Sequence, residues 1–406
     1  MSEWKEYRLG DIAEIKNGKS RPKVSGNVPV YGGNGILDYC NMSNIKGETI
    51  IIGRVGAYCG SVYFENKDIW ISDNALFAKS KNGFDSKYIY YILKNDNLNQ
   101  YAGGSSHPLL TQGRLNELTY NIPDLPTQIA IAEILSFLDD KIELNNKINQ
   151  ELENLAQTLF KRWFVEFEFP NENGEPYKSS GGEMDDSELG EIPKRWNLVK
   201  VQDLEHKLQT GTRPKGGVGG IVKGVPSIGA ESVKRLGFYD FSKVKFVTDE
   251  FAAKMKRGKV EGYELLIYKD GGKPGTFMPH FSMFGEGFPF DTFFINEHVF
   301  LLDFFNKQFN CFCYFYFDSV YVRPVFENNG GKAAIPGINQ EDVKQLWVFN
   351  PDLEMVKLFG QFAQNSVSTI LKNCKENIQL TNLRDTLLPK LISGELEVQQ
   401  VLSQTT

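Results

Sequence analysis

Apolar positions follow two regimes that alternate twice along the chain. In the first, short runs of β-branched and aromatic residues are punctuated by glycine: Glu48 to Ile52, Ser61 to Phe64, Ile69 to Ile71, Leu76-Phe77, and later Gly262 to Tyr268 and Val299 to Leu302. Such runs predict strands joined by turns, with a helical piece around Ser86 to Lys94. In the second, apolar residues step by three and four. Ile131, Ile134, Leu135, Leu138, Ile142, Ile148, Leu152, Leu155 and Leu159 form one series, with a wider step of six across Leu144-Asn145. Leu358, Phe362, Ile370, Leu371, Ile378, Leu380, Leu383 and Leu387 form the other. Each predicts a long helix, with Pro123 and Pro126 before the first, Pro351 before the second and Pro389 after it. About 40 residues span about 60 Å as a helix. A narrow apolar stripe of that length needs a partner, and the other long helix is the obvious one. Antiparallel pairing is expected, packed through Ile142, Leu152, Leu155, Leu159, Ile370, Leu380, Leu383 and Leu387.

The alternation reflects an internal repeat. Trp4, Asp11, Arg21, Pro22 and Lys23 match Trp196, Asp203, Arg213, Pro214 and Lys215 at an offset of 192. Val28 to Gly32 matches Val225 to Gly229 at 197, and Ile50 to Gly56 matches Leu265 to Gly271 at 215. The run Tyr88 to Leu93 matches Phe312 to Phe317 at 224, and Lys147, Asn149, Leu152 and Leu159 find partners at 228. Collinear matches with a growing offset are those of two copies, the second carrying loop insertions. The expected fold is α+β: two mixed α/β globular domains separated by two long antiparallel, coiled-coil-like helices, with an internal pseudo-twofold repeat. The expected segments are a first globule at 1–125, a helix at 126–165, a linker at 166–192, a second globule at 193–350, a second helix at 351–396 and a tail at 397–406.

Length and charge refine this picture. The 406 residues suit several domains, and no run of apolar residues approaches the length of a membrane span. The N-terminus lacks the basic-then-apolar pattern of a signal peptide, and five scattered cysteines do not make a disulfide framework. A soluble, cytoplasmic protein is expected. Taken as a whole the net charge of −6 argues against nucleic acid, yet it is unevenly spread. Residues 166–192 hold nine acidic groups and one basic, while 193–350 hold 21 basic and 17 acidic. The acidic stretch, rich in Gly, Ser and Pro, reads as an exposed connector. Without it the globules are neutral to basic, which leaves a polyanion partner open.

Catalytic constellations are not evident. Gly330-Gly331-Lys332 is followed by Ala333, so it is no phosphate loop, and Gly285-Glu286-Gly287 lacks a following glycine. No Pro-Pro pair supplies a methyltransferase-type Asn-Pro-Pro-Tyr loop, and Glu14-Ile15-Lys16 lacks the upstream Pro-Asp of a metal-dependent nuclease. His107, His206, His280 and His298, with Cys311 and Cys313, lack zinc spacing, and the two cysteines alternate with aromatics as core residues do. No Gly-x-Ser-x-Gly elbow is present. The chain reads as non-catalytic, with no metal of its own.

Two spaced globules suit two spaced targets, and half-sites on one face of duplex DNA recur about every 34 Å. Polar and basic residues sit on glycine-rich loops where backbone can approach bases. In the first copy these are Arg21, Lys23, Tyr31, Asn34, Arg54, Tyr58, Ser61, Ser105, Ser106 and His107. In the second they are Arg213, Lys215, Lys269, Lys273, Thr276 and Lys332. Arg and Lys suit guanine edges, Asn suits adenine, and hydroxyls suit bases or phosphates. For any one loop, a plain turn between strands explains the glycines equally well. A protein-interaction scaffold of tandem repeats without DNA readout also fits.

Several motifs carry a family resemblance. Trp4 with Arg8-Leu9-Gly10-Asp11-Ile12, Pro29-Val30-Tyr31-Gly32-Gly33-Asn34-Gly35, Pro123-Asp124-Leu125-Pro126-Thr127-Gln128, Leu159-Phe160-Lys161-Arg162-Trp163-Phe164 and Leu387 to Leu396 stand in order along the chain. Together the chain resembles the specificity subunit of type I restriction-modification enzymes over essentially its whole length. One departure is the second helix entry, where Pro351-Asp352-Leu353-Glu354 lacks the Pro-x-Leu-Pro-x-Gln form. The resemblance implies two target recognition domains, each reading half of a bipartite, asymmetric DNA site, and helices that act as a ruler for the gap. It implies a subunit with no catalysis and no bound cofactor. Two modification subunits using S-adenosylmethionine to methylate adenine would dock on it, joined by ATP- and Mg²⁺-dependent restriction subunits.

Overall fold

The computed structural model describes residues 4–104, 108–331 and 335–403. It divides into two compact units, one holding the residues up to Ile142 together with those from Gln379 onward, the other running Glu143–Ile378.

In the first unit, β1 (Lys5–Arg8), β2 (Ala13–Asn17), β3 (Ser25–Gly32), β4 (Gly35–Cys40), β5 (Thr49–Gly53), β6 (Val62–Glu65), β7 (Trp70–Ile71), β8 (Ala75–Ser80) and β9 (Thr119–Ile122) form three sheets. Their orders are β1-β9, β2-β8-β5-β6 and β4-β3-β7, the last pairing β3 with β7 in parallel. Ile50, Ile51 and Ile52 on β5 are fully buried, as their unbroken apolar run requires of a central strand. Helix α1 (Ser86–Asn95), capped by the Asp85 carboxylate accepting from the Tyr88 amide at 2.7 Å, packs its apolar face on this sheet.

The second unit repeats this plan. It adds the hairpin β10–β11 (Met184–Ser187, Gly190–Pro193), then β12 (Leu198–Lys200), β13 (Lys207–Thr210), β14 (Val225–Ile228), β15 (Phe246–Val247), β16 (Leu265–Tyr268), β17 (Phe281–Ser282), β18 (Phe294–Ile295), β19 (Val299–Asp303) and β20 (Trp347–Phe349). The orders are β12-β20, β13-β19-β16-β17 and β15-β14-β18, the last again with one parallel pair. The repeat inferred from scattered identities is therefore a repeat of sheet topology, strand for strand.

Two long helices follow the globules. The first, Leu125–Phe160, begins with Pro126 inside its first turn, where a missing amide costs nothing, and ends in a π turn at Lys161–Val165. The second, Glu354–Ser393, runs straight through Pro389, which therefore lies inside the helix and not after it. Pro389 is exposed, on the solvent side of the helix. The helix stops instead at Gly394, whose φ of 75° is the left-handed closure that satisfies terminal carbonyls; the Leu396 amide donates to the Lys390 oxygen at 3.1 Å. A side chain at Gly394 would press on the Trp4 ring, which accounts for both residues of that motif.

The apolar series on these helices needs correcting. Ile370 is buried, and Ile142, Leu152, Leu159, Leu380 and Leu387 are half-buried, whereas Leu155 and Leu383 are 53% and 48% exposed. The buried face of the first helix instead runs Ile131, Leu135, Leu138, Asn145, Ala156, Phe160. Asn145 fills the gap that appeared as a step of six. In the second unit the two helices run antiparallel through amides: Asn145 Nδ2 donates to Asn377 Oδ1 at 2.9 Å, and Asn373 Nδ2 to Asn149 Oδ1 at 2.8 Å. These two bonds are images of each other under the 228-residue offset. In the first unit, Arg384 donates to Asp139 at 2.5 Å, and Tyr91 donates to the same carboxylate at 2.9 Å. Burial opposes ionisation of Asp139, but Arg384, Lys94 and Tyr91 outweigh it and hold its carboxyl below the ordinary 3.8.

The acidic segment is not a solvated connector. Its charges face water, but Phe167, Phe169 and Ile192 are buried, and Phe169 stacks on Tyr177 at 4.7 Å and on Trp196 at 4.9 Å. A few aromatic anchors bind it to the second unit where charge composition alone suggests free chain. Phe160 and Phe164 sit in the same core, with Phe312 at 5.0 Å from Phe164. Cys311 and Cys313 are fully buried core residues on an all-round apolar helix, Lys307–Phe317. Beyond the second long helix, Val398 and Val401 pack on the first unit's core instead of trailing as a tail.

Candidate nucleic-acid interface

In the first unit the β3–β4 hairpin turns at Gly33-Asn34, leaving Asn34 exposed at its tip. A methyl group built on Gly33 would touch the Asn74 oxygen, Gly53 Cα and Tyr58 Cβ at 3.6–3.8 Å, so these four loops converge. Gly53 is obligatory, because any side chain there would collide with the Tyr58 carbonyl oxygen. Arg54 is half-buried at the end of β5, Tyr58 is exposed on the turn Gly56–Tyr58, and Ser61 follows with its amide donating to the Tyr58 oxygen at 3.1 Å. Arg21 and Lys23 are exposed, Arg21 paired with Asp38 at 3.3 Å. Tyr31 is corrected: only 7% exposed, it donates from its hydroxyl to Glu65 at 3.1 Å and belongs to the core, because β3 is the central strand of its sheet. Ser105, Ser106 and His107 lie outside the described residues.

The second unit holds the corresponding loops in the same main-chain frame. The Arg54 amide donates to the Asn74 oxygen and the Lys269 amide to the His298 oxygen, both at 3.1 Å. Leu110 donates to the Arg54 oxygen at 2.9 Å and Ile338 to the Lys269 oxygen at 2.8 Å. Gly56 donates to Pro108 and Gly271 to Pro336. Only the side chains differ. Lys269 is tethered by Asp270 at 3.1 Å and by the Glu297 carbonyl at 3.1 Å. His298 meets Asp270 through Nδ1 at 2.5 Å and Glu297 through Nε2 at 3.4 Å, and Arg213 reaches Glu297 at 3.5 Å. Lys215, Lys273 and Thr276 are exposed on loops; Lys332 lies outside the described residues.

Sequence reasoning passed over Asp270, Glu297 and His298, and Asn74 with them. Offset matching holds the signal: once Arg54 is aligned with Lys269, the residues before the next strand align too. Buried polar atoms point to the same place. Among the described residues, those without a hydrogen-bond partner are Arg54 Nε, Ser72 Oγ, Tyr88 Oη and Glu297 Oε2. Arg54 stands in this frame, and Ser72 and Glu297 lie two and one positions before Asn74 and His298.

Each unit thus presents its own polar loops on the same main-chain frame. Comparison with known proteins gives what the chain is similar to. Residues 1–154 match the type I restriction modification DNA specificity domain. The chain is 25% identical to the type I restriction enzyme MjaIX specificity subunit of Methanocaldococcus jannaschii, covering 98% of this chain and 95% of that protein. It is 33% identical to the EcoprrI specificity subunit of Escherichia coli, over 36% of this chain and 38% of that one. The crystal structure of the type I restriction-modification system S subunit from M. genitalium shares the fold with a TM-score of 0.62, at 17% identity and 96% coverage of both chains. The chain is thus similar over nearly its whole length to a type I restriction-enzyme specificity subunit, and its first 154 residues match that family's DNA specificity domain.

Proposed function

We propose that this chain reads a bipartite, asymmetric DNA sequence for a type I restriction-modification complex and performs no catalysis itself. The observation carrying this reading is the shared main-chain frame with different tips. Identical frames present Arg54 beside Asn74 in one unit and Lys269 beside His298 in the other, so two unlike half-sites are read by one fold. The paired helices act as the ruler that fixes the gap between half-sites.

Partners dock on the helices. Leu155 and Leu383 are repeat equivalents, and each is about half exposed. An apolar side chain left open at the same position of both copies suits two identical modification subunits, one per copy. S-adenosylmethionine, ATP and Mg²⁺ serve those subunits and the restriction subunits. The modest basic surplus of 193–350 suits a reader whose partners supply most phosphate contacts. Methylation mapping tests the reading: a split sequence methylated in cells with the gene, and unmethylated after its deletion. Loss of no motif, or of an uninterrupted one, refutes it.

A further inference from the structure

Residues with basic charge or glycine neighbours are the obvious readers, yet the geometry points elsewhere: we infer that Asn74 and His298, equivalent positions in the two units, are specificity-determining residues that contact base edges. This rests on the DNA-reading role proposed above. Each stands just before a buried strand, β8 or β19, and each is anchored by its own carbonyl oxygen to the amide of the basic residue across the frame. Its backbone is thus fixed by main-chain bonds that do not involve its side chain. Asn74 is exposed, next to Arg54 and the convergent loops of Gly33 and Tyr58.

The orphaned polar atoms single out the same segments. Ser72 Oγ, on a residue 3% exposed, lies two positions before Asn74, and Glu297 Oε2 lies one before His298. Arg54 Nε, on the residue whose amide is bonded to the Asn74 oxygen, is a third such atom. A buried donor or acceptor left unpaired is costly, and it persists where a ligand completes it. Finding such atoms in the segment before β8 in one copy and before β19 in the other, and otherwise at Arg54 and Tyr88 among the described residues, points to a binding locus and not a packing flaw.

The chemistry then differs by unit. A free carboxamide beside an arginine suits an adenine edge at N6 and N7 next to a guanine. In the second unit His298 is held at Nδ1 by Asp270 and lies beside Lys269, and a base edge taking the place of Glu297 at Nε2 would meet the imidazole and the ammonium together, a pair that suits the N7 and O6 acceptors of guanine. The reading positions therefore carry an adenine in one half-site and a guanine in the other.

The test uses the full chain in its assembled modification complex, with methylation scored over a library of split sequences. Asn74→Ala is expected to lose about tenfold or more discrimination at one base pair of one half-site, leaving the other half-site as it was. His298→Ala is expected to do the same in the opposite half-site, and His298→Asn to move preference there from guanine toward adenine. Thermal melting of each variant separates loss of reading from loss of fold. The inference is overturned if well-folded variants keep the parent preferences, or if activity falls equally on all sequences, which assigns both residues to phosphate. A parent complex with no split-sequence preference refutes the underlying DNA-reading role instead.

Discussion

Some individual side chains hold the fold, while others on the shared frame are left open to a ligand. Arg54 and Lys269 have equivalent backbones but different tethers: Lys269 is drawn in by Asp270 and Glu297, and Arg54 has no such carboxylate pair among the described contacts. Arg54→Ala is expected to weaken recognition of one half-site and Lys269→Ala only the other, as read by methylation of half-site variants. Uniform loss across sequences reassigns them to phosphate. Asp139 is a holding residue. Its carboxyl titrates below its unfolded value, so it stabilises the fold above pH about 3.8 and the contribution disappears as pH falls through the folded value. Arg384→Ala removes the guanidinium from Asp139, a carboxylate only 25% exposed in the intact protein, and is expected to cost about 2–3 kcal/mol in denaturant unfolding. Basic loop residues were legible because Arg and Lys advertise themselves. Asn74 and His298 were not, since their significance lies in what their backbones touch.

At the level of elements, strands were read well and helix faces less so. Runs such as Ile50 to Ile52 are apolar because both faces are covered, and letter patterns reveal that directly. The long helices hide their contact face because polar residues occupy part of it. Counting apolar letters favours Leu155 and Leu383, whereas the structure turns those outward and buries Asn145, 1% exposed. Two contrasting variants check this. Ile370→Ala empties a buried site and is expected to cost about 2–4 kcal/mol. Leu155→Asp is expected to shift stability by no more than about 0.5 kcal/mol, while weakening capture of a modification subunit in a pull-down with purified partner. Asn145→Ala removes the amide that pairs with Asn377 and Glu376, and is expected to destabilise by about 1–3 kcal/mol. The acidic segment was misread for a related reason: nine carboxylates dominate its composition, and a handful of rings decide its conformation.

For the whole molecule, the duplication was visible because Trp, Arg-Pro-Lys and Pro-Asp-Leu recur in order. The depth of that duplication was not, since main-chain hydrogen bonds leave no trace in side-chain identity. If the helices measure the gap, removing seven residues from each, about 10 Å of helix, shortens the methylated sequence's spacer by about three base pairs. An unchanged spacer in a folded variant refutes the ruler.

The frame around Arg54 and Lys269 is built from peptide groups alone, so mutation at the tips does not tax the scaffold beneath them. A lineage can therefore trade one target for another by changing few codons, without passing through unfolded intermediates. Such freedom suits a protein whose adversaries are selected to lose whatever sequence it currently recognises.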